Sequence, residues 1–155
     1  MTDNPGKFPS LLGDLTGKSV TANFTISGLN SGQKVAYYDE PDACGGTTAY
    51  VRYFFETSNA GGFDEAHYWW SNPTAIDLNT VNGSATLPTV PLTGDLWSDY
   101  NGHFGNNPTY AAGFDAAVSH VTMIGLSFGG GCGFENGVGT TDGSGTFTLN
   151  SFTVN

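Results

Sequence analysis

The chain has 155 residues, with 14 acids against 4 bases and a formal net charge of −10; its length fits one domain able to bury a core. Lys7, Lys18, Lys34 and Arg52 are too few and too scattered to neutralise a phosphate backbone, which makes nucleic acid a poor partner and an anionic membrane surface no better. Aromatic residues are 14%, charged residues 12%, and 23 are glycine, a balance that fits sheets joined by many turns rather than disorder; no apolar run is long enough to span a bilayer.

Residues 1–12 read as an N-terminal arm, because Pro5 and Pro9 oppose regular structure. Residues 1–10 show no basic start followed by an apolar segment, so no signal peptide is visible in them. The composition nonetheless looks secreted, and an extracellular location is expected. Gly13-Asp14-Leu15-Thr16-Gly17 makes a turn. From Ser19 to Ser27 apolar and polar residues alternate, the mark of a half-buried strand. A second strand begins over 35–38. Asp39, Glu40 and Asp42 then fall in one loop with Cys44. The run Tyr50–Thr57 reads as a strand with Val51, Tyr53 and Phe55 on one face and Arg52, Phe54 and Glu56 on the other. Further strands are expected over 67–71, 74–78 and 84–92, with Pro88 and Pro91 limiting ladder pairing in the last. Helical spacing of Tyr110, Phe114, Ala117 and Val118 predicts one short helix over 108–120, plugging an end of the core. The near-continuous apolar run 121–128 predicts a central strand. Gly129 to Gly133 holds too many glycines for a strand interior. The closing strand Thr146–Val154 changes phase near Asn150-Ser151, which predicts a bulge. Short strands with turn signals every 8–12 residues make one antiparallel β-sandwich domain over 13–155.

Three segments resemble the jelly-roll carbohydrate-binding modules of secreted polysaccharide-degrading enzymes. They are Gly13-Asp14-Leu15-Thr16-Gly17-Lys18 leading into an alternating strand, Phe114-Asp115-Ala116-Ala117-Val118 with the strand at 121–128, and Gly143-Ser144-Gly145-Thr146-Phe147-Thr148-Leu149. They cover about a third of the chain and speak to fold more than to ligand. The resemblance implies a non-catalytic module, a place within a larger multidomain enzyme, and a structural calcium as many such modules carry. Where those modules often end their last strand on an acidic residue, this chain has Asn150 and Asn155.

The residues themselves offer several chemistries. Gly125-Leu126-Ser127-Phe128-Gly129 matches the nucleophile-elbow pattern, but a glycine run follows it where a helix should, and His67, His103 and His120 all precede Ser127. Glu56 and Glu135 are candidate acid/base carboxylates, as a small glycoside hydrolase or polysaccharide lyase would need; pairing with Arg52 or simple solvation serves them equally well. Asp39, Asp42 and Asp142 carry hard oxygen ligands for calcium, without an EF-hand pattern. Cys44 and Cys132 are either a disulfide, for which the loop length predicts roughly 4–5 kcal/mol on the chain-entropy model, or two buried thiols.

The strongest functional signal is aromatic. Tyr68-Trp69-Trp70-Ser71-Asn72 and Trp97-Ser98-Asp99-Tyr100-Asn101 hold all three tryptophans next to hydroxyl, amide and carboxylate groups. Strand alternation sends Trp69 and Trp70 to opposite faces, so one belongs to the core and the other to a ligand or solvent face. Trp97 follows Gly94-Asp95 in a loop-like context that points to exposure. Indole faces would cover the C–H side of a pyranose, while Arg52, Asn72, Asp99, Asn101 and His103 would take its hydroxyls. The expectation is a monomeric binder of a polysaccharide or oligosaccharide, needing no cofactor. A sandwich enzyme and an adhesive extracellular domain are the alternatives.

Overall fold

Alternation builds the smaller sheet. In β1 (Ser19–Ser27), Val20, Ala22, Phe24 and Ile26 are buried while Ser19, Thr21, Asn23 and Thr25 stay partly exposed, the two-residue period of a strand with one face on the core. Strands β5 (Gly83–Pro91) and β8 (Thr146–Val154) flank it in antiparallel fashion, giving the order β5-β1-β8. The solvent face of this sheet is a ladder of hydroxyls and amides: Thr21 and Thr89 meet at 2.8 Å, Asn23 donates to Thr86 at 2.8 Å, and Thr25 meets Ser84 at 2.9 Å. The computed structural model describes residues 11–37, 48–58, 64, 66–72, 74–81, 83–130 and 137–155.

The larger sheet is centred on β2 (Tyr50–Thr57). Strand β7 (Val121–Gly129) pairs along one side of it. The other side is shared end to end by β3 (Tyr68–Ser71) and β4 (Ile76–Asp77), with β6 (Trp97–Ser98) beyond β3. The two sheets enclose one core, and α1 (Ala111–Val118) closes an end of it with Phe114, Ala117 and Val118. Phe114 stands edge-on to Phe55 and Trp69, at 5.9 Å and 5.1 Å between ring centroids. The chain is therefore an all-β antiparallel sandwich with one short helix.

Tyr53 ties the two sheets together. Its ring rises from β2 through the core, and its hydroxyl accepts the Ala22 N–H of β1 at 2.8 Å. The same hydroxyl lies 3.4 Å from the Leu87 carbonyl and 3.2 Å from that of Pro88, positions from which it donates to β5. The site is a bulge. Val20 pairs with Val90 but Ala22 pairs with Leu87, so β5 advances one residue more than β1. Pro88 lies in this extra step and has no N–H to offer the ladder. The phenol supplies what the interrupted ladder lacks, in a place where an unmet backbone group would be expensive. Burial pushes the Tyr53 phenol up to about 12, against a smaller opposing effect of the Ala22 N–H.

A second bulge falls at the predicted phase change in β8. Asn23 pairs with Ser151 but Phe24 pairs with Leu149, leaving Asn150 over. Its amide donates to Asn23 Oδ1 and Thr25 Oγ1, both at 2.8 Å. Other expectations need correction. The apolar strand at 121–128 is not central: among the described residues, β7 has one strand neighbour, β2. Its apolar run reflects cover on both faces, which does not require a hydrogen-bonded strand on both edges. Of the predicted strand at 35–38, the described residues 35–37 make only isolated bridges, from Ala36 to Thr48 and Gly139. The helix is shorter than 108–120, because Asn107 holds the preceding turn: its side-chain oxygen accepts Thr109 N–H and its carbonyl accepts Tyr110 and Ala111 N–H. The predicted arm over 1–12 is not wholly peripheral, since Leu12 is buried in the core with Leu11 packed against it; its residues 1–10, the Asp39/Glu40/Asp42 loop, Cys44, Glu135 and Cys132 lie outside the described residues.

Replacing Tyr53 with Phe should lower the unfolding free energy by about 1–3 kcal/mol in urea titrations at neutral pH. The phenol is protonated in both states below pH 10, and between 10 and 12 the unfolded chain ionises first, so its contribution falls as pH rises. The variant should therefore lose less stability over that window than the wild type. Unchanged unfolding curves would show that the bulge does not depend on this hydroxyl.

Candidate functional site

Cross-strand pairing sorts the aromatic residues into core and outer face. Trp69 points inward beside Phe114, with its indole N–H donating to the Ala66 carbonyl at 3.1 Å. Trp70 points outward as alternation requires, but is only 6% exposed. Its indole N–H donates to Ser127 Oγ at 3.3 Å, and its ring lies parallel to Tyr68 at 6.4 Å. Phe54 stands opposite both Trp70 and Gly125, and Trp70 opposite Ser98, which is bridged in turn to Phe104. These residues make one row across the outer face of the larger sheet. Beside it, Glu56 pairs with Tyr68 and Met123, and Arg52 with Ser127. Asn72 donates to Ser98 Oγ at 3.1 Å.

This face is built of the expected residues, yet its rings are already engaged. Arg52, Glu56, Tyr68 and Trp70 all make contacts within the fold. Burial draws the Arg52 guanidinium down to about 10, so it stays protonated at neutral pH. Ser127 lies inside β7 and accepts the Trp70 indole, so the glycine–serine–glycine pattern forms no elbow between strand and helix.

Trp97 is the clear correction. It is fully buried, packs on Phe55 at 4.9 Å and donates its indole N–H to the Pro91 carbonyl at 2.8 Å. The short 3-10 turn Gly94–Leu96 delivers it directly into β6. A strand of two residues is too short for alternation to reveal, which is why the sequence reads as loop. Gly94 makes the approach possible: a side chain there would meet the Gly105 backbone at 2.4 Å.

The predicted polar residues converge after Trp97. The Asp99 carboxylate, with no side-chain exposure, accepts Asn101 N–H, His103 N–H and the His103 ring at Nδ1, each at 2.9 Å. His103 is thereby fixed, with a side chain 37% exposed. Tyr110 stacks on the imidazole at 4.1 Å and 7°, its hydroxyl 3.2 Å from Nε2. His103 lines a shallow depression of about 590 Å³ shared with Asp95, Gly102, Phe104, Asn106, Asn107 and Pro108. The sequence singled out His103 but missed Asp95, Phe104, Asn106, Asn107 and Tyr110. The available signal was Asn106-Asn107-Pro108 just before the helix, a turn composition that presents amides at a surface. Asn101 is exposed on the same loop.

Asp142 is committed elsewhere. Ser144 and Asn30 donate to its two oxygens, at 2.9 Å and 2.8 Å. These hydrogen bonds, those from Ser144 foremost, hold its carboxyl down at about 2. Among the described residues no three His, Cys, Asp or Glu side chains gather where a metal ion would sit, and no helix is long and apolar enough to cross a membrane. A scan against protein-family models, a search of curated proteins and a search of solved structures each found no match.

Two substitutions separate support from surface. Trp97→Ala should destabilise by about 3–5 kcal/mol, as expected for a large core side chain. Asp99→Ala should cost about 2 kcal/mol and loosen the following loop, because it removes a buried charged acceptor from three donors. Chemical denaturation measures both, and amide exchange at Asn101 and His103 reports the loop. Wild-type stability in either variant would contradict the assigned role.

Proposed function

We propose that the chain is a non-catalytic glycan-binding module and that the sugar sits in the depression beside His103. The observation that carries this reading is the fixed imidazole. Asp99 holds one edge of the ring and Tyr110 covers one face, while the remaining surface stays open next to Phe104, Asn106, Asn107 and Asp95. A flat ring held rigidly suits the C–H side of a pyranose, and amide and carboxylate groups around it suit the hydroxyls. Holding the ring in advance reduces the ordering that binding must impose.

The lining also selects. Among the described residues it contains Asp95 and neither Lys nor Arg, so an anionic sugar gains no partner from them and meets a chain of net charge −10. Neutral glycans fit better. The tryptophans support the platform rather than touching the ligand, since Trp69 and Trp97 are in the core and Trp70 is buried on the sheet face. The resemblance of the turn and closing segments to secreted modules agrees with this reading, and with a place outside the cell beside a larger enzyme.

Calorimetric titration with a panel of neutral oligosaccharides should find binding that His103→Ala weakens at least tenfold without changing the fold by circular dichroism. Tryptophan emission should move little on saturation. No binding across the panel, or equal binding by the His103→Ala protein, would refute the assignment.

A further inference from the structure

Among the described residues five strands lie at sheet edges, β4, β5, β6, β7 and β8, and they are not equally protected. Edge strands expose unpaired backbone groups and are normally guarded by charge, proline, shortness or cover. β5 carries Pro88, Pro91 and a bulge. β4 and β6 are two residues long each, and β6 is bridged by Phe104. β7 is tied at Val121 by Gly13, each donating to the other's carbonyl, and near its far end Gly137 donates to Phe128. β8 runs for nine residues, Thr-Phe-Thr-Leu-Asn-Ser-Phe-Thr-Val, with neither proline nor an ionisable group. Among the described residues its outer edge has no neighbouring strand. Its one irregularity, Asn150, spends its amide on Asn23 and Thr25 of its own sheet.

The side chains on β8 agree with an uncovered edge. Leu149 pairs with buried Phe24 and so lies on the core side of the sheet, yet it is 43% exposed. Phe147 and Phe152 are also incompletely buried. Charge decides what fits there. Each molecule carries a net charge of −10, so two copies repel over most approaches. The β5-β1-β8 sheet has no charged residue in any of its three strands, and approach along it brings no like charges directly together.

We infer that β8 is a self-association edge, on which a second copy of this chain pairs its own β8 antiparallel about a two-fold axis. The pairing joins two three-stranded sheets into one of six and covers Leu149 with the partner's equivalent surface. A two-fold contact of this kind closes on itself and stops at the dimer. Two nine-residue strands span about 30 Å at ~3.4 Å per residue, a long thin contact below the ~800 Å² per partner of a standard interface. The dimer is accordingly weak and dependent on concentration, and it departs from the monomer expected on sequence grounds.

Sedimentation equilibrium of the full chain tests this over a concentration series from about ten micromolar to one millimolar, the range of weak complexes. The average mass should climb from that of one chain, 16.2 kDa, toward twice that value without exceeding it. Leu149→Lys and, separately, Ser151→Lys should weaken association at least tenfold, because each flanks the strand centre at Asn150 and brings two like charges close together beside the axis. Thr86→Lys adds the same charge on β5 and should leave association unchanged. Circular dichroism confirms that each variant is folded, and Ser151→Lys, at an exposed position, stands in should Leu149→Lys not fold. A single-chain mass throughout, growth beyond two chains, or a dimer indifferent to both β8 lysines would overturn the inference.

Discussion

The hydroxyl of Tyr53 is the constraint on which the rest of the sandwich depends. It joins the centre of the larger sheet to the bulge of the smaller one, through the Ala22 N–H and the carbonyls of Leu87 and Pro88. Hydrophobic contact between two sheet faces is non-directional and tolerates sliding. A buried phenol with a fixed donor and acceptor does not, so the sheets have one relative position. That position lets the core close around Phe55, Trp69, Trp97 and Phe114, and these rings in turn fix β6 and the loop that leaves it.

The candidate site inherits its rigidity from this arrangement. Trp97 anchors the start of the loop from inside the core, and Asp99 gathers the next turn around a buried carboxylate. Gly105 brings the loop back against Phe114, where a side chain would meet the ring at 2.6 Å. His103 is thus held between a buried acid and a tyrosine of the segment leading into α1. What reaches solvent is a shallow neutral-to-acidic surface mounted on a well-packed base. Such a surface is suited to recognising shape and hydroxyl pattern rather than charge.

Much of the fold was legible because its signals are local. Strands Ser19–Ser27, Tyr50–Thr57 and Thr146–Val154 have the bounds that alternation predicts, and the phase change at Asn150 marks a true bulge. The opposite facing of Trp69 and Trp70 was legible for the same reason. What alternation cannot convey is which face is covered. Trp70 points away from the core and is still buried, and Trp97 belongs to a strand too short to have a period. The site was legible in part: His103, Asp99 and Asn101 were identified as polar partners of a ligand, but Asp99 serves the loop. Arg52 and Asn72 lie on the sheet face instead, and Tyr110 joins the imidazole through a stack that sequence spacing does not display.

The proposed glycan site lies in the loop after Trp97 and not on the tryptophan-bearing sheet face. Backbone hydrogen exchange, compared with and without a saturating neutral oligosaccharide, tests it directly. Added protection is expected at Gly102, His103, Phe104, Asn106 and Asn107, with β2 and β3 unchanged. Protection confined to Arg52, Phe54, Glu56, Tyr68 and Trp70 would contradict it.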